Sequence, residues 1–262
     1  MSTALPSLLA AIAVRSWKKT VRRPVTLAFS LLQPIVWMVF FGFLMRRAVI
    51  ELPAGLDYPS FLVPGICAMT VLFGASQAGI SVVRDIQTGI LQRMLATPAP
   101  RWILHLGKVA ADGVRLLVQA MIVLLIGLAV GASLSFALLP LLLSFAGLFV
   151  FAVGFSSLSC IIAIRSGRPE TMATFVHVIN MPVFFTSTAL VPDKQMPEWL
   201  AAIARWNPLT LTVESLRGAL LFEQTPSITA QILPVAVLSL LLVMLAVREL
   251  PRALAISPWE AR

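Results

Sequence analysis

Charge is what this sequence has least of. Asp, Glu, Lys and Arg make up 12% of its 262 residues, while 59% are hydrophobic. A soluble domain carries about 25% charge, so this surface is one that water does not solvate and lipid does. Histidine is nearly missing: His105 and His177 stand far apart, neither with a carboxylate at ligand spacing. That leaves no metal cluster and no acid–base pair for hydrolysis or group transfer. Ser156, Ser157 and Ser159 have no evident base either. They suit close helix packing, as do Ala75, Gly79, Gly127 and Gly131. The two cysteines, Cys67 and Cys160, each fall inside an apolar run and read as small core residues rather than a disulfide. No Gly-rich loop ends in Gly-Lys-Ser or Gly-Lys-Thr, so the sequence offers nothing to cradle nucleotide phosphates. Segments of alternating hydrophobicity, the mark of a membrane β-barrel, are absent too.

What is present is a set of long apolar runs, at 25–45, 61–83, 116–133, 136–164, 172–191 and 230–247. Each is close to the roughly 20 residues that span a bilayer. Irregular backbone cannot face lipid, so the runs should be helices. The expected fold class is all-α: a polytopic membrane protein with six transmembrane helices, forming a single permease-like domain over 1–262. Ionisable residues sit at the ends of these runs, which argues against an ion-coupled carrier, whose spans need such groups.

The net charge of +9 comes from Lys and Arg placed between the runs. None is interleaved with aromatics as a nucleic-acid surface would be. With the N-terminus inside, fifteen of the twenty Lys and Arg fall on the cytoplasmic side. The positive-inside rule then puts both termini in the cytoplasm. Basic residues follow the apolar stretch at 5–14 instead of preceding it, so no cleavable signal peptide is expected. The stretch 5–22 is loosely amphipathic, with Leu5, Leu8, Leu9 and Ile12 beside Arg15, Lys18 and Arg22. It predicts an N-terminal interfacial helix in the headgroup plane.

Two polar segments stand out. After the second run, Arg84-Asp85 leads to Gly89, Leu91, Gln92, Arg93, Leu95, Thr97 and Pro98. Leu91, Met94 and Leu95 share one helical face, and the prolines stop that helix. An exposed helix with an apolar face predicts a protein partner. Before the last run, Trp199, Ile203 and Trp206 form one stripe and Leu209, Val213, Leu216 and Leu220 a second, parted by Asn207-Pro208. Glu214 and Arg217 stand one turn apart and can pair. These predict two short re-entrant helices dipping into the outer leaflet.

The same two segments resemble those of the type-two ABC exporter permeases, the family of drug-resistance, nodulation-factor and polysaccharide export permeases. Thr88-Gly89-Ile90-Leu91-Gln92-Arg93 with Thr97-Pro98 is similar to the family's coupling segment. Pro197-Glu198-Trp199, Asn207-Pro208-Leu209-Thr210 and Glu214 to Arg217 are similar to its external signature. Gln92 stands where a Glu is common. The resemblance implies a permease in a bacterial-type inner (plasma) membrane, without its own ATPase site or cofactor. It would be paired with a second copy or a paralogue and with two ATPase subunits that bind ATP and Mg. Arg84, Asp85, Gly89, Leu91, Gln92, Arg93, Leu95, Thr97 and Pro98 would form the ATPase-coupling segment. Trp199, Asn207, Pro208, Glu214 and Arg217 would form the external gate. Phe73, Gln77, Asn180, Pro182, Phe184 and Phe185 are the expected cavity wall, with Pro182 kinking its helix. One Tyr and many Phe point to a lipophilic drug, lipid or lipid-linked cargo, and sugar export is the alternative.

Overall fold

A computed structural model describes residues 24–44, 56–97, 99–222 and 225–255. The expected N-terminal interfacial helix and Pro98 lie outside these residues. Among the described residues the secondary structure is helical, with no strand. We number the α-helices α1 (Pro24–Leu44), α2 (Tyr58–Gln87), α3 (Ile90–Leu95), α4 (Arg101–Ala129), α5 (Leu138–Ser166), α6 (Pro169–Phe175), α7 (Met181–Phe185), α8 (Glu198–Trp206), α9 (Pro208–Leu220), α10 (Thr225–Glu249) and α11 (Arg252–Ala255).

Among the described residues four helices are long and apolar enough to cross a membrane: α2, α4, α5 and the stretch Ile228–Glu249 of α10. At 1.5 Å per residue, α2 is about 45 Å long, and it forms the centre of the bundle. Its buried residues run from Tyr58 to Ile86 and meet α4, α5, α9 and α1. α5 is sandwiched between α2 and α10. Leu62, Ile66, Met69, Leu72, Leu116, Leu124, Leu148 and Phe151 fill the resulting core. By contrast, the outer faces of α4, α5 and α10 expose Leu125, Leu138, Leu142, Leu233 and Leu240. Such a surface belongs in hydrocarbon rather than in water.

The helices approach closely where side chains are small. Gly79 abuts Ser159, Gly127 abuts Val63 and Gly154 abuts Ser239. Gly131 is different: nothing lies near it, and its φ of +100° makes it a turn residue between α4 and α5, not a packing residue.

Two runs depart from the expected form. The run at 116–133 is only the second part of α4, which begins at Arg101, so the charged stretch before that run is largely the base of the same helix. The run at 172–191 is not one helix. It is α6, a π-helical turn at Val176–Asn180, then α7, which ends at Phe185. Pro182 gives the physical reason, since it has no N–H for the carbonyl four residues back and its ring crowds that carbonyl. Thr186 to Ala189 then leave the helix, and their polar groups are taken by other elements described below.

Candidate functional site

Two polar assemblies, one at each end of the bundle, contain most of the singled-out residues. The inner one is built on α3. Gly89 joins α2 to α3 with φ +70°. A side chain would find open space there but an unfavourable backbone. Thr88 Oγ1 donates to the Arg84 carbonyl at 2.8 Å, and Thr97 Oγ1 donates to that of Met94 at 2.6 Å. Leu91, expected to face a partner, turns inward. It packs with Val82, Val83, Ile86, Val109, Met172, Phe175 and Leu250, with Leu95 against their edge. Leu91 is therefore covered by the chain itself and Met94 and Leu95 are half-buried, while Arg93 on α3 and Arg84, Thr88 and Thr97 beside it are exposed. Asp85 is half-buried. Gln92 Nε2 reaches the Ala253 carbonyl of α11 at 3.5 Å. Glu249 holds Arg165 at 2.7 Å and also Arg252. The C-terminal end thus braces α3 from behind.

Just above lies a charged group that hydropathy leaves out. Lys108 Nζ is 3.3 Å from Asp112 and donates to Ser81 Oγ at 3.2 Å, and Arg115 lies 3.9 Å from Asp112. Arg115 Nη2 also donates to the Gly74 carbonyl at 3.2 Å. The spacing of 108, 112 and 115 was a visible signal for one helical face.

The outer assembly centres on Arg217, only 3% exposed. Its Nη1 donates to Glu214 Oε1 at 2.6 Å, and its Nη2 to the carbonyls of Thr188 at 2.8 Å and Ala189 at 3.3 Å. Both Nε and Nη2 lie 3.4 Å from the Phe61 carbonyl. The guanidinium also sits 3.6 Å above the Phe61 ring, a cation–π contact. Glu214 Oε1 accepts from Thr188 Oγ1 at 2.7 Å as well. One side chain thus binds α2, the 186–190 segment and α9. Asn207 does similar work. Its Oδ1 caps α9 by accepting from Leu209 N at 2.8 Å, and Pro208 opens the helix. Its Nδ2 donates to the Val183 carbonyl at 2.7 Å and to Thr186 Oγ1 at 3.0 Å. On α8, Trp199 and Trp206 are exposed at 66% and 88%, an apolar face that fits a helix lying in the outer leaflet.

The expected cavity-wall residues divide. Phe73 and Phe184 meet edge to face at 6.1 Å, and Trp37 of α1, which the sequence reading missed, lies 5.7 Å from Phe184 and 6.2 Å from Phe185. Gln77, Pro182 and Phe185 are exposed. Asn180 is fully buried between helices.

Among the described residues, long apolar helices with apolar outer faces define an integral membrane protein. The chain belongs to the ABC-2 type transporter family, whose model matches residues 7–221. It is 32% identical over 199 residues to the putative transport permease ycf38 of Cyanophora paradoxa, covering 75% of this chain and 68% of that one. It is 24% identical over 187 residues to the daunorubicin resistance ABC transporter permease protein DrrB1 of Streptomyces coeruleorubidus, covering 71% and 65%. With the probable multidrug ABC transporter permease YbhR of Escherichia coli K12 it shares 28% identity over 155 residues, covering 59% and 42%.

Proposed function

We propose that this chain is the six-span subunit of an ATP-driven exporter, sitting in an inner (plasma) membrane with both termini cytoplasmic. It works as a pair, two copies or one copy and a paralogue, with two separate ATPase subunits that bind ATP and Mg. The observation that supports this reading is α3: a short helix fixed from behind by Leu91, with Arg93 on it and Arg84, Thr88 and Thr97 beside it open to solvent. Such a helix passes force between a soluble subunit and the bundle. The proposed cargo is a lipophilic drug, a lipid or a lipid-linked compound, supported by the Phe73, Phe184 and Phe185 cluster and by the drug-resistance descriptions of relatives. A polysaccharide or glycolipid remains the alternative cargo.

Two outcomes test this. Arg93→Glu, at an exposed position, should leave the unfolding free energy of the permease within about 0.5 kcal/mol of wild type. It should weaken co-purification of the ATPase encoded with it by roughly tenfold or more. Unchanged ATPase capture and unchanged ATP-dependent efflux would remove α3 from the interface. Second, a cysteine introduced at Lys194 should react with a membrane-impermeant maleimide in intact cells, and one at Arg93 only after permeabilisation; the reverse pattern inverts the topology.

The Lys108, Asp112 and Arg115 group supports a second reading, an ion-coupled carrier, because it places a carboxylate on α4, a helix long and apolar enough to cross a membrane. Efflux that survives ATP depletion and stops with a protonophore would select it.

A further inference from the structure

The π turn at Val176–Asn180 sits between two contacts that matter. Below it, Met172 and Phe175 of α6 are buried in the same cluster as Leu91 of α3. Above it, the Val183 carbonyl is held by Asn207, and the Thr188 and Ala189 carbonyls by Arg217. The chain from 172 to 189 therefore runs from the helix that packs on Leu91 to the staple at Arg217, and the π turn lies between them.

Asn180 marks that turn. It is fully buried, and its Nδ2 donates to Ser76 Oγ of α2 at 2.5 Å. Its Oδ1 has no partner among the described residues, and neither has Ser156 Oγ on α5, also fully buried. Beside them Ser159 Oγ donates to the Ser76 carbonyl at 2.9 Å and accepts from Gly79 N at 3.0 Å. An amide satisfied at one end only, inside a packed seam, is a poor device for rigidity. It is well suited to an element that has a second arrangement in which the other end is paired. A π turn carries an extra residue relative to an α turn and is common at functional sites. Relaxing it to α-helix would rotate everything beyond it by about 100° per residue passed and move it about 1.5 Å along the axis. Phe184, buried against Trp37 and Phe73, would turn outward, Phe185 would take another face, and the carbonyls held by Asn207 and Arg217 would be displaced.

We infer that the π turn is the joint through which movement of α3 reaches the outer cap, with Asn180 as a positioning residue that holds it in the arrangement seen here. Pro182, exposed on α7, disfavours the straight helix and keeps the second arrangement from prevailing. This rests on the exporter reading, but the joint can be read separately.

The test uses the full chain in its own membrane, with Cys67 and Cys160 replaced by Ala and a single cysteine at Phe184 or Phe185. In the parent, the cysteine at 185 should react with a small maleimide severalfold faster than that at 184. Pro182→Ala, which restores an N–H, and Asn180→Ala, which frees the turn from Ser76, should each narrow or invert that ratio. Trapping the complex with ATP and vanadate should do the same in the parent. Both variants should lower efflux by about tenfold, the range of an ordinary coupling free energy, while ATP hydrolysis continues. Asn180→Gln, which keeps an amide donor for Ser76 Oγ, should retain more efflux than Asn180→Ala. A ratio that neither variant changes overturns the inference. So does a ratio that both variants change but ATP trapping does not, in a complex that exports. Loss of ATP-dependent export from the parent itself, with the Pro182→Ala shift intact, would instead refute the exporter reading and leave the joint standing.

Discussion

Arg217→Ala should destabilise the permease by about 3 kcal/mol or more, in the range found when one partner of a buried ion pair is removed. The substitution strips hydrogen bonds from the Thr188, Ala189 and Phe61 carbonyls together and leaves Glu214 with Thr188 Oγ1 alone. Thermal unfolding in detergent reads it directly. Arg217→Lys should recover little, because a single ammonium cannot reproduce a planar fork that serves a carboxylate, several carbonyls and an aromatic face at once. Glu214→Ala should cost less than Arg217→Ala, since Glu214 is 36% exposed and the guanidinium keeps its carbonyls. An Arg217→Ala protein that melts with wild type would show that the three segments are held by other means.

Gly65→Ala should be nearly as damaging, by a different cause. A Cβ at Gly65 would fall on the Ala189 carbonyl oxygen and within 2.9 Å of its carbon. These are backbone atoms on a segment already fixed by Arg217 and by Tyr58, whose hydroxyl donates to the Leu190 carbonyl at 3.2 Å. They have little freedom to move, and overpacking of this kind costs about 1–3 kcal/mol. The control is Gly42→Ala in α1, where nothing lies within 4 Å of the added atom. There the helix should gain up to about 1 kcal/mol. Equal effects at the two glycines would mean that α2 and the 189 backbone are not in contact.

The parts legible in the sequence are those governed by local pattern. Runs of apolar residues gave the long helices, Gly89 and the stripe of Leu91 and Leu95 gave α3, and Asn207-Pro208 gave the break between α8 and α9. What could not be read depends on partners distant in sequence. The stripe on α3 has the same spacing whether it meets another protein or Leu250, and only the fold shows the second. Arg217 and Glu214 were visible as a pair, but the carbonyls at 61, 188 and 189 leave no residue-type signature. Hydropathy treats Met172 to Val191 as one helix because it cannot weigh what Pro182 does to the preceding carbonyl. Asn180 stands out as a polar side chain in an apolar run, but nothing in the sequence says that Ser76 is its partner.

The bracing of α3 by the last described helix has a consequence for biosynthesis. Residues 90–95 are made early, but the surface behind them includes Leu250, Ala253 and the Ala253 carbonyl. The inner helix therefore reaches its final setting only after residue 253 has left the ribosome. A chain interrupted before that point would insert its first helices with α3 set against residues 82 to 175 but uncovered on the side of Leu250 and Ala253. The order of assembly is in this way written into the packing of a helix six residues long.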